Sequence, residues 1–459
     1  MNTLSGLAIA LLTLLLCAHA AFVKPPYLQN LMDTSIVVRW ETGTAQPGRV
    51  QYGLTASYGQ EASHGNATTQ HELRLPTLLR DTLYHYRAIS GSDTSADAMF
   101  HAPVTVGRAF RFFDYGDTQS DSAAHQSVLN RMLLASPAPG LTINTGDLTA
   151  SGTTAEYQTF FNVERDLLKR VTLFSGIGNH DTTNMTNWFT LFALPGNERW
   201  YSFRYGNSAF HILDNYSPDT LGTPQYNWFL NELLADSTNP QVRHIFVFFQ
   251  EPPYTTNTAY SGNLRARRHL CPLLERFRVR LTFQGHVHAY EHSLVNGVHY
   301  LISGGGGGAL ATGWGPSQPW MVYREATYHF TLVDVRGDTV YSKGIKPSGA
   351  VIDSFRVIAP PSGVAERKPV GLQPTLSFKA WPNPFSDRLA LSFTLPRSEE
   401  AEVTLYNASG QRVATLEEGI LPAGEHRVSW KARKAASGLY FCILRTSEGT
   451  RVIRLTKVH

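Results

Sequence analysis

GIGNHD, residues 176–181, closes the apolar run VTLFS with Asn179, His180 and Asp181 in succession. Four other apolar runs end in polar clusters of a matching kind. FRFFDYGDTQ reaches Asp117, LTINTGDL reaches Asp147, IFVFFQEPPY reaches Gln250, and RLTFQGHVH reaches His286 and His288. Short apolar runs of this length read as buried parallel strands, and in open α/β sheets the chemistry gathers outside their carboxyl ends. The five clusters together predict one site assembled at strand ends.

Around that centre, a chain of 459 residues is too long for one ordinary core and predicts two to four domains. Forty Lys and Arg against 36 Asp and Glu leave a net charge of +4, and residues 376–459, with 12 basic and 8 acidic side chains, account for the whole surplus. The remainder is close to neutral, so no basic face for nucleic acid is evident. Residues 1–20 join the apolar stretch LAIALLTLLLCAHA to small residues at Ala18 and Ala20, and predict a secretory signal cut before Ala21. No later stretch reaches the roughly 20 apolar residues of a membrane helix, so no transmembrane segment is expected in the mature chain. Cleavage leaves Cys271 and Cys442 in regions that read as separate domains, which predicts no disulfide framework.

Residues 21–104 alternate short β-type runs with turns (SIVVRWET, GRVQYG, TLYHYRAIS) and predict a small antiparallel sandwich anchored by Trp40, Tyr84 and Tyr86. Residues 105–357 alternate apolar runs with helical segments such as AAHQSVLNRMLLA and AEYQTFFNVERDLLKR, as an α/β domain does. Within them RWYSFRYGNSAFHILDN reads as a hairpin turning at Gly206 and Asn207. The five glycines at 304–308 lack a P-loop pattern and predict close backbone approach beside the site. Residues 358–375 are punctuated by Pro and Gly as linkers are, and residues 376–459 read as a second small β-sandwich.

A pair of divalent metals about 3.5 to 4 Å apart needs a bridging carboxylate, further Asp, Asn and His ligands, and room for a hydroxide. The strand-end clusters hold those residue types. Asp147 is the natural bridge, with Asp117 and His288 on one metal and Asn179 and His286 on the other. His180, beside a ligand but free of metal, is placed to stabilise phosphoryl charge or protonate a departing alkoxide, with Asp181 to orient it. Asp114 competes with Asp117 for the first ligand position, and Asp117 is preferred because it ends its strand behind a glycine.

The ordered series GDTQ, GDxxxxG, GNHD and GHVH resembles the calcineurin-like metallophosphoesterases, and within them the purple acid phosphatase-like branch. FVKPPYLQNLMDTSIVVRWET is similar to that branch's N-terminal fibronectin type III-like domain. WPNPF, AGEHRVSW and SGLYFCILRT resemble the C-terminal sorting domain of the type nine secretion system. The resemblance implies a four-layer αββα sandwich of mixed sheets flanked by helices, between two small all-β sandwiches. It also implies two metal ions (Fe, Mn or Zn), a small phosphate-ester substrate attacked in line by a metal-bridging hydroxide, and export through secretion machinery to the medium or the cell surface.

Three positions depart from the pattern. Ala150 stands where purple enzymes carry Tyr, Gln250 where the family carries a metal-binding His, and Gln119 where many members carry another. A Gln250 amide oxygen would suit harder ions such as Mn²⁺ or Mg²⁺ better than Zn²⁺. His125, eight residues past Asp117 where some bacterial relatives have a His, is either a metal ligand or a core histidine, because Val128, Leu129 and Met132 share its helical face. His292 is carried as a substrate-facing candidate. The departures motivate an alternative reading, a surface binding protein on a degenerate phosphatase scaffold.

Overall fold

In the computed structural model the described residues are 22–359 and 377–458, less the short gaps 396–398, 423, 434 and 447–448. The signal segment 1–20, and the linker beyond Ile358 and Ala359, lie outside them. The chain divides into two compact units, one ending at Ser362 and one beginning at Gly363.

Two sheets form the centre of the first unit. Strands Phe110–Tyr115, Leu141–Asn144 and Thr172–Ser175 run parallel in a twelve-stranded mixed sheet. In a seven-stranded sheet, Ser208–Ile212, His244–Phe248, Leu281–Gln284 and Val298–Ser303 run parallel. The shortest are apolar and closed to water on both faces, as crossover strands covered by helices must be. Side chains alternate along a strand, and Phe112 points between the sheets, its ring 5.2 to 6.2 Å from those of Phe210, Phe246, Phe248 and Phe283. Phe113 and Tyr115 point the other way, onto Val128, Leu129, Met132 and Leu167 of the outer helices.

Those helices begin where the sequence supplies caps. The Asp121 side chain accepts from the backbone N–H groups of Ala123 and Ala124 at the start of Ser122–Met132. Thr153 and Glu156 form a capping box on Thr154–Leu168. On the far side, Pro224–Thr238, Leu264–His269 and Cys271–Arg276 cover the second sheet through a separate core of Phe229, Leu233, Val247 and Leu274. The layers therefore run helix, sheet, sheet, helix, the expected fold class. The hairpin Tyr201–Tyr205 with Ser208–Ile212 turns through Gly206 (φ 58°), also as expected.

Residues 22–101 are all β, but their strands extend the twelve-stranded sheet, with Phe22–Met32 beside Thr172–Ser175 at Gln29 and Leu173. Trp40, Tyr84 and Tyr86 belong to the same continuous apolar core as Phe112. Hydrogen bonds fasten the two parts: Tyr27 Oη donates to the Leu191 carbonyl (2.8 Å), Tyr86 Oη to the Lys169 carbonyl (2.8 Å), and the Ala193 N–H to Gln29 Oε1 (2.7 Å).

The second unit pairs a three-stranded with a four-stranded antiparallel sheet around Phe385, Leu391, Leu405 and Cys442. Cys271 and Cys442 are free, buried thiols in different units.

Loss of the Phe112 ring, which meets four rings of the other sheet, should loosen both sheets at once. Phe112→Ala is expected to cost about 3–5 kcal/mol, as large-to-small core substitutions do. Urea unfolding of the full chain should show a lower midpoint for the first unit and no change for the second.

Candidate metal centre

Strand ends from both sheets bring the polar clusters to one place. Asp117 and Asp147 each follow a glycine just past their strands, and both lie in left-handed backbone, at φ 56° and 55°. His286, after Gly285, joins them at φ 68°. Left-handed backbone costs an ordinary residue about 1–2 kcal/mol. Bonds between the loops hold it: Asp117 N–H to the Gly146 carbonyl (3.0 Å), Thr118 N–H to the Asp147 carbonyl (3.0 Å), and Gly308 N–H to the Asp117 carbonyl (2.7 Å).

The glycine run 304–308 lies against this loop, as expected. A Cβ on Gly304 would stand 2.2 Å from the Val287 carbonyl oxygen and 2.8 Å from Asp117 Oδ2, and one on Gly308 would stand 2.7 Å from the His288 ring. No larger residue fits without moving the site.

Asp117 is fully buried. Its carboxylate accepts the His286 backbone N–H at 2.9 and 2.8 Å and the Gln250 Nε2–H at 3.1 Å, with His288 Nε2 at 3.7 Å. Asp147 Oδ1 accepts the His180 N–H (2.9 Å), and Gln119 Nε2 stands 3.5 Å from its Oδ2. Asn179 Oδ1 lies 3.1 Å from His286 Nδ1, and Gln119 Nε2 lies 3.2 Å from His288 Nε2. Asp117, Asp147, Asn179, Gln250, His286 and His288 are thus gathered in one shell of contacts, and Gln119 is in it too.

Burial controls the electrostatics. It raises Asp117 well above the usual carboxylate range, reinforced by the neighbouring Asp147 charge, and raises Asp147 to about 6. It lowers His286 to about 4, helped by His288 and His180, and lowers His288 as well. The His288 Nδ1 proton goes to the Ala309 carbonyl (2.8 Å), which leaves the Nε2 lone pair facing Asp117 and Gln119.

Three expectations change. His125 is a core histidine: its Nε2 lies 2.7 Å from Glu164 Oε1, which also accepts from Tyr115 Oη at 2.7 Å. Asp181 does not orient His180. Its buried carboxylate accepts the backbone N–H groups of Asp147 (2.8 Å), Leu148 (3.2 Å) and Gly178 (2.9 Å) and so ties two site loops together. The His180 ring is held instead by its own Nδ1–H on the Ala150 carbonyl (2.7 Å). His292 faces away, buried between Asp353 (2.7 Å) and His299 (2.8 Å). Asp114 is buried in its strand, and Asp117 is the residue in the shell.

Among the described residues, no three His, Cys, Asp or Glu side chains close around one point in a metal-holding arrangement. Several of the contacts between them pass through the amides of Gln119, Asn179 and Gln250. The donor set nevertheless fits cations. Neither Asp117 nor Asp147 has a Lys or Arg partner among the described residues, burial keeps both imidazoles neutral, and the Oε1 atoms of Gln119 and Gln250 are buried without a partner. A half-turn of either amide exchanges its nitrogen for that oxygen and presents another hard donor.

The match to known proteins follows the same residues: 110–290 match the calcineurin-like phosphoesterase family. Residues 110–290 form a calcineurin-like phosphoesterase domain. Residues 379–457 match the secretion system C-terminal sorting domain, which marks a protein exported to the cell surface or beyond. The chain is similar to a phosphoenolpyruvate phosphatase of Allium cepa, 25% identical over 364 residues, covering 66% of this chain and 74% of that one. It is equally similar to a nucleotide pyrophosphatase/phosphodiesterase of Hordeum vulgare, 25% identical over 333 residues, covering 58% and 90%. The purple acid phosphatase PPD1 of yellow lupin shares the phosphoesterase domain's fold, with a TM-score of 0.65 at 18% identity over 74% of this chain and 77% of that one.

Sequence reading set Gln119 aside as a lost ligand, although its position two residues after Asp117 on the same loop was signal enough to keep it. Tyr260 had no motif to reveal it. Tyr260 packs edge-on to His286 (ring centroids 5.0 Å apart, 74°) and stands 6.1 Å from His288.

The new place of His125 is testable. His125→Leu should leave metal content unchanged by elemental analysis while lowering stability by about 1–3 kcal/mol, the cost of a buried acceptor losing a partner. Asn179→Ala should do the reverse, reducing metal content with little change in the melting curve.

Proposed function

We propose that the chain is an exported metal-dependent phosphoester hydrolase acting on small phosphate esters, and that Asp117, Asp147, Asn179, His286 and His288, with the amides of Gln119 and Gln250, hold two metal ions. The observation that carries this reading is the convergence of buried, uncompensated carboxylates and neutral imidazoles at the strand ends of both sheets. Two bound cations would supply charge for the phosphoryl oxygens and lower the pKa of a water toward about 7, which is what in-line hydrolysis requires.

The chain's own residues do the rest. The His180 Nδ1–H is committed to the Ala150 carbonyl, which fixes the ring and leaves Nε2 to carry a proton to the departing oxygen. The His180 N–H, bonded to Asp147 Oδ1, sets the distance between that ring and the carboxylate. Asp181 keeps the two loops in register through three backbone amides, so its part is positional. The sorting domain is proposed to engage the type nine secretion machinery during export.

A second reading, a binding protein without hydrolysis, is favoured by one observation: the Gln119 and Gln250 amide N–H groups already bond to ligand atoms of Asp147, His288 and Asp117. Metal content decides. Two tightly held ions per chain support the hydrolase, and one or none supports the binding protein.

Mature protein loaded with Mn²⁺ should hydrolyse an aryl phosphate or an aryl phosphodiester, and Asp147→Asn should bring the rate to background. Gln250→His should raise Zn²⁺ affinity in a competition titration, because an imidazole replaces an amide at the shell. An unchanged Zn²⁺ affinity would place Gln250 outside it.

A further inference from the structure

Residues 255–263 cross the mouth of the site between the strand His244–Phe248 and the helix Leu264–His269, and they are fixed rather than free. Glu291, fully buried, accepts from Thr255 Oγ1 (2.6 Å) and from the N–H (3.0 Å) and Oγ1 (3.3 Å) of Thr256. Asn257 Nδ2 donates to the Ala311 carbonyl (2.9 Å), the Thr258 N–H to the Gly313 carbonyl (3.0 Å), and the Gly315 N–H to the Thr256 carbonyl (2.8 Å). The loop is thereby zipped to the segment that follows the glycine run.

This arrangement sets the partly exposed Tyr260 ring beside the shell and Trp314, also partly exposed, on the apolar cluster next to it. Tyr260 presents its ring against His286 and His288, and Trp314 packs on the same small apolar cluster of Val287, Ala289 and Ile302. The Arg324 guanidinium sits 5.2 Å from the Trp314 ring centroid and is itself held by Thr256 Oγ1 (2.7 Å) and the Gly315 carbonyl (3.0 Å). No hydrogen bond from the Tyr260 hydroxyl to the protein is present among the described residues, so the ring is positioned by packing alone.

We propose that Tyr260 and Trp314 form an aromatic wall that selects phosphate esters whose organic group is a flat aromatic ring, with Tyr260 as the ring it meets first. The inference rests on the phosphoesterase reading, which places the phosphoryl group beside His286 and His288. An organic group leaving from there toward Tyr260 meets the edge or face of its ring. Stacking and edge contacts reward a planar aromatic group and do little for a small alkyl group of the same charge.

Binding of two non-hydrolysable probes to the full, metal-loaded chain tests this without relying on turnover. By calorimetry, phenylphosphonate should bind about tenfold more tightly than methylphosphonate, the upper range of one aromatic contact. Tyr260→Ala should bring that ratio close to one, and Tyr260→Phe should keep it, because the ring and not the hydroxyl makes the contact. Trp314→Ala, a partly exposed site on another loop, should reduce the ratio independently and covers the case in which Tyr260→Ala does not fold. A wild-type ratio near one, or a ratio unchanged in both alanine variants, overturns the aromatic wall and leaves the phosphoesterase reading standing. Failure of the protein to bind either phosphonate overturns both.

Discussion

Asp117 and Asp147 are enclosed where water does not reach, and among the described residues neither meets a lysine or arginine. Removing a carboxylate from water without a partner costs several kcal/mol, and the usual escape is to take up a proton. The raised pKa values of both groups express that pressure. Hydrogen bonds from the His286 N–H, the His180 N–H and the Gln250 amide relieve part of it, but each is a neutral donor. What the arrangement lacks is the positive charge of a lysine or arginine, and burial lowers the His286 and His288 imidazoles toward the neutral form. That imbalance is the physical basis of the metal-binding reading proposed above.

Much of the architecture can be understood as holding that arrangement in place. Three residues of the shell sit in left-handed backbone, and such strain persists only where surrounding bonds over-determine it. Here the carbonyls of Gly146, Asp147 and Asp117 all receive amides from neighbouring loops. Asp181 adds a third buried carboxylate, yet it acts through backbone amides alone, which makes it a tie between the Asp147 and Gly178 loops. Beneath them the Phe112 cluster fixes one sheet on the other, so ligands from two sheets meet at one spacing.

The strand ends were legible because a parallel strand announces itself twice, by an apolar run and by the polar residue that stops it. Asp117, Asp147, Gln250 and His286 all obeyed that rule, and the Gly206 turn obeyed the hairpin rule. His125 did not, since a histidine on the apolar face of a helix reads alike whether a metal or a carboxylate waits opposite. Its partner Glu164 is 39 residues away, on another helix. Asp181 misled for a related reason: adjacency to His180 in sequence says nothing about which way a side chain turns after a tight bend. The N-terminal strands were recognised as β, but their merger with the central sheet depends on the pairing of Gln29 with Leu173, which no local pattern encodes.

The glutamines are the point at which pattern and physics part. Replacing an imidazole with an amide keeps a neutral, buried donor of modest size, so the fold does not notice the change and the shell closes with hydrogen bonds of 3.1 and 3.2 Å. Metal affinity does notice, because an amide oxygen is a harder and weaker donor than an imidazole nitrogen. Gln250 lies against Asp117, and Gln119 lies against His288 and Asp147. Under the two-metal reading proposed above, the carboxylates carry a larger part of the binding, and hard cations gain at the expense of zinc.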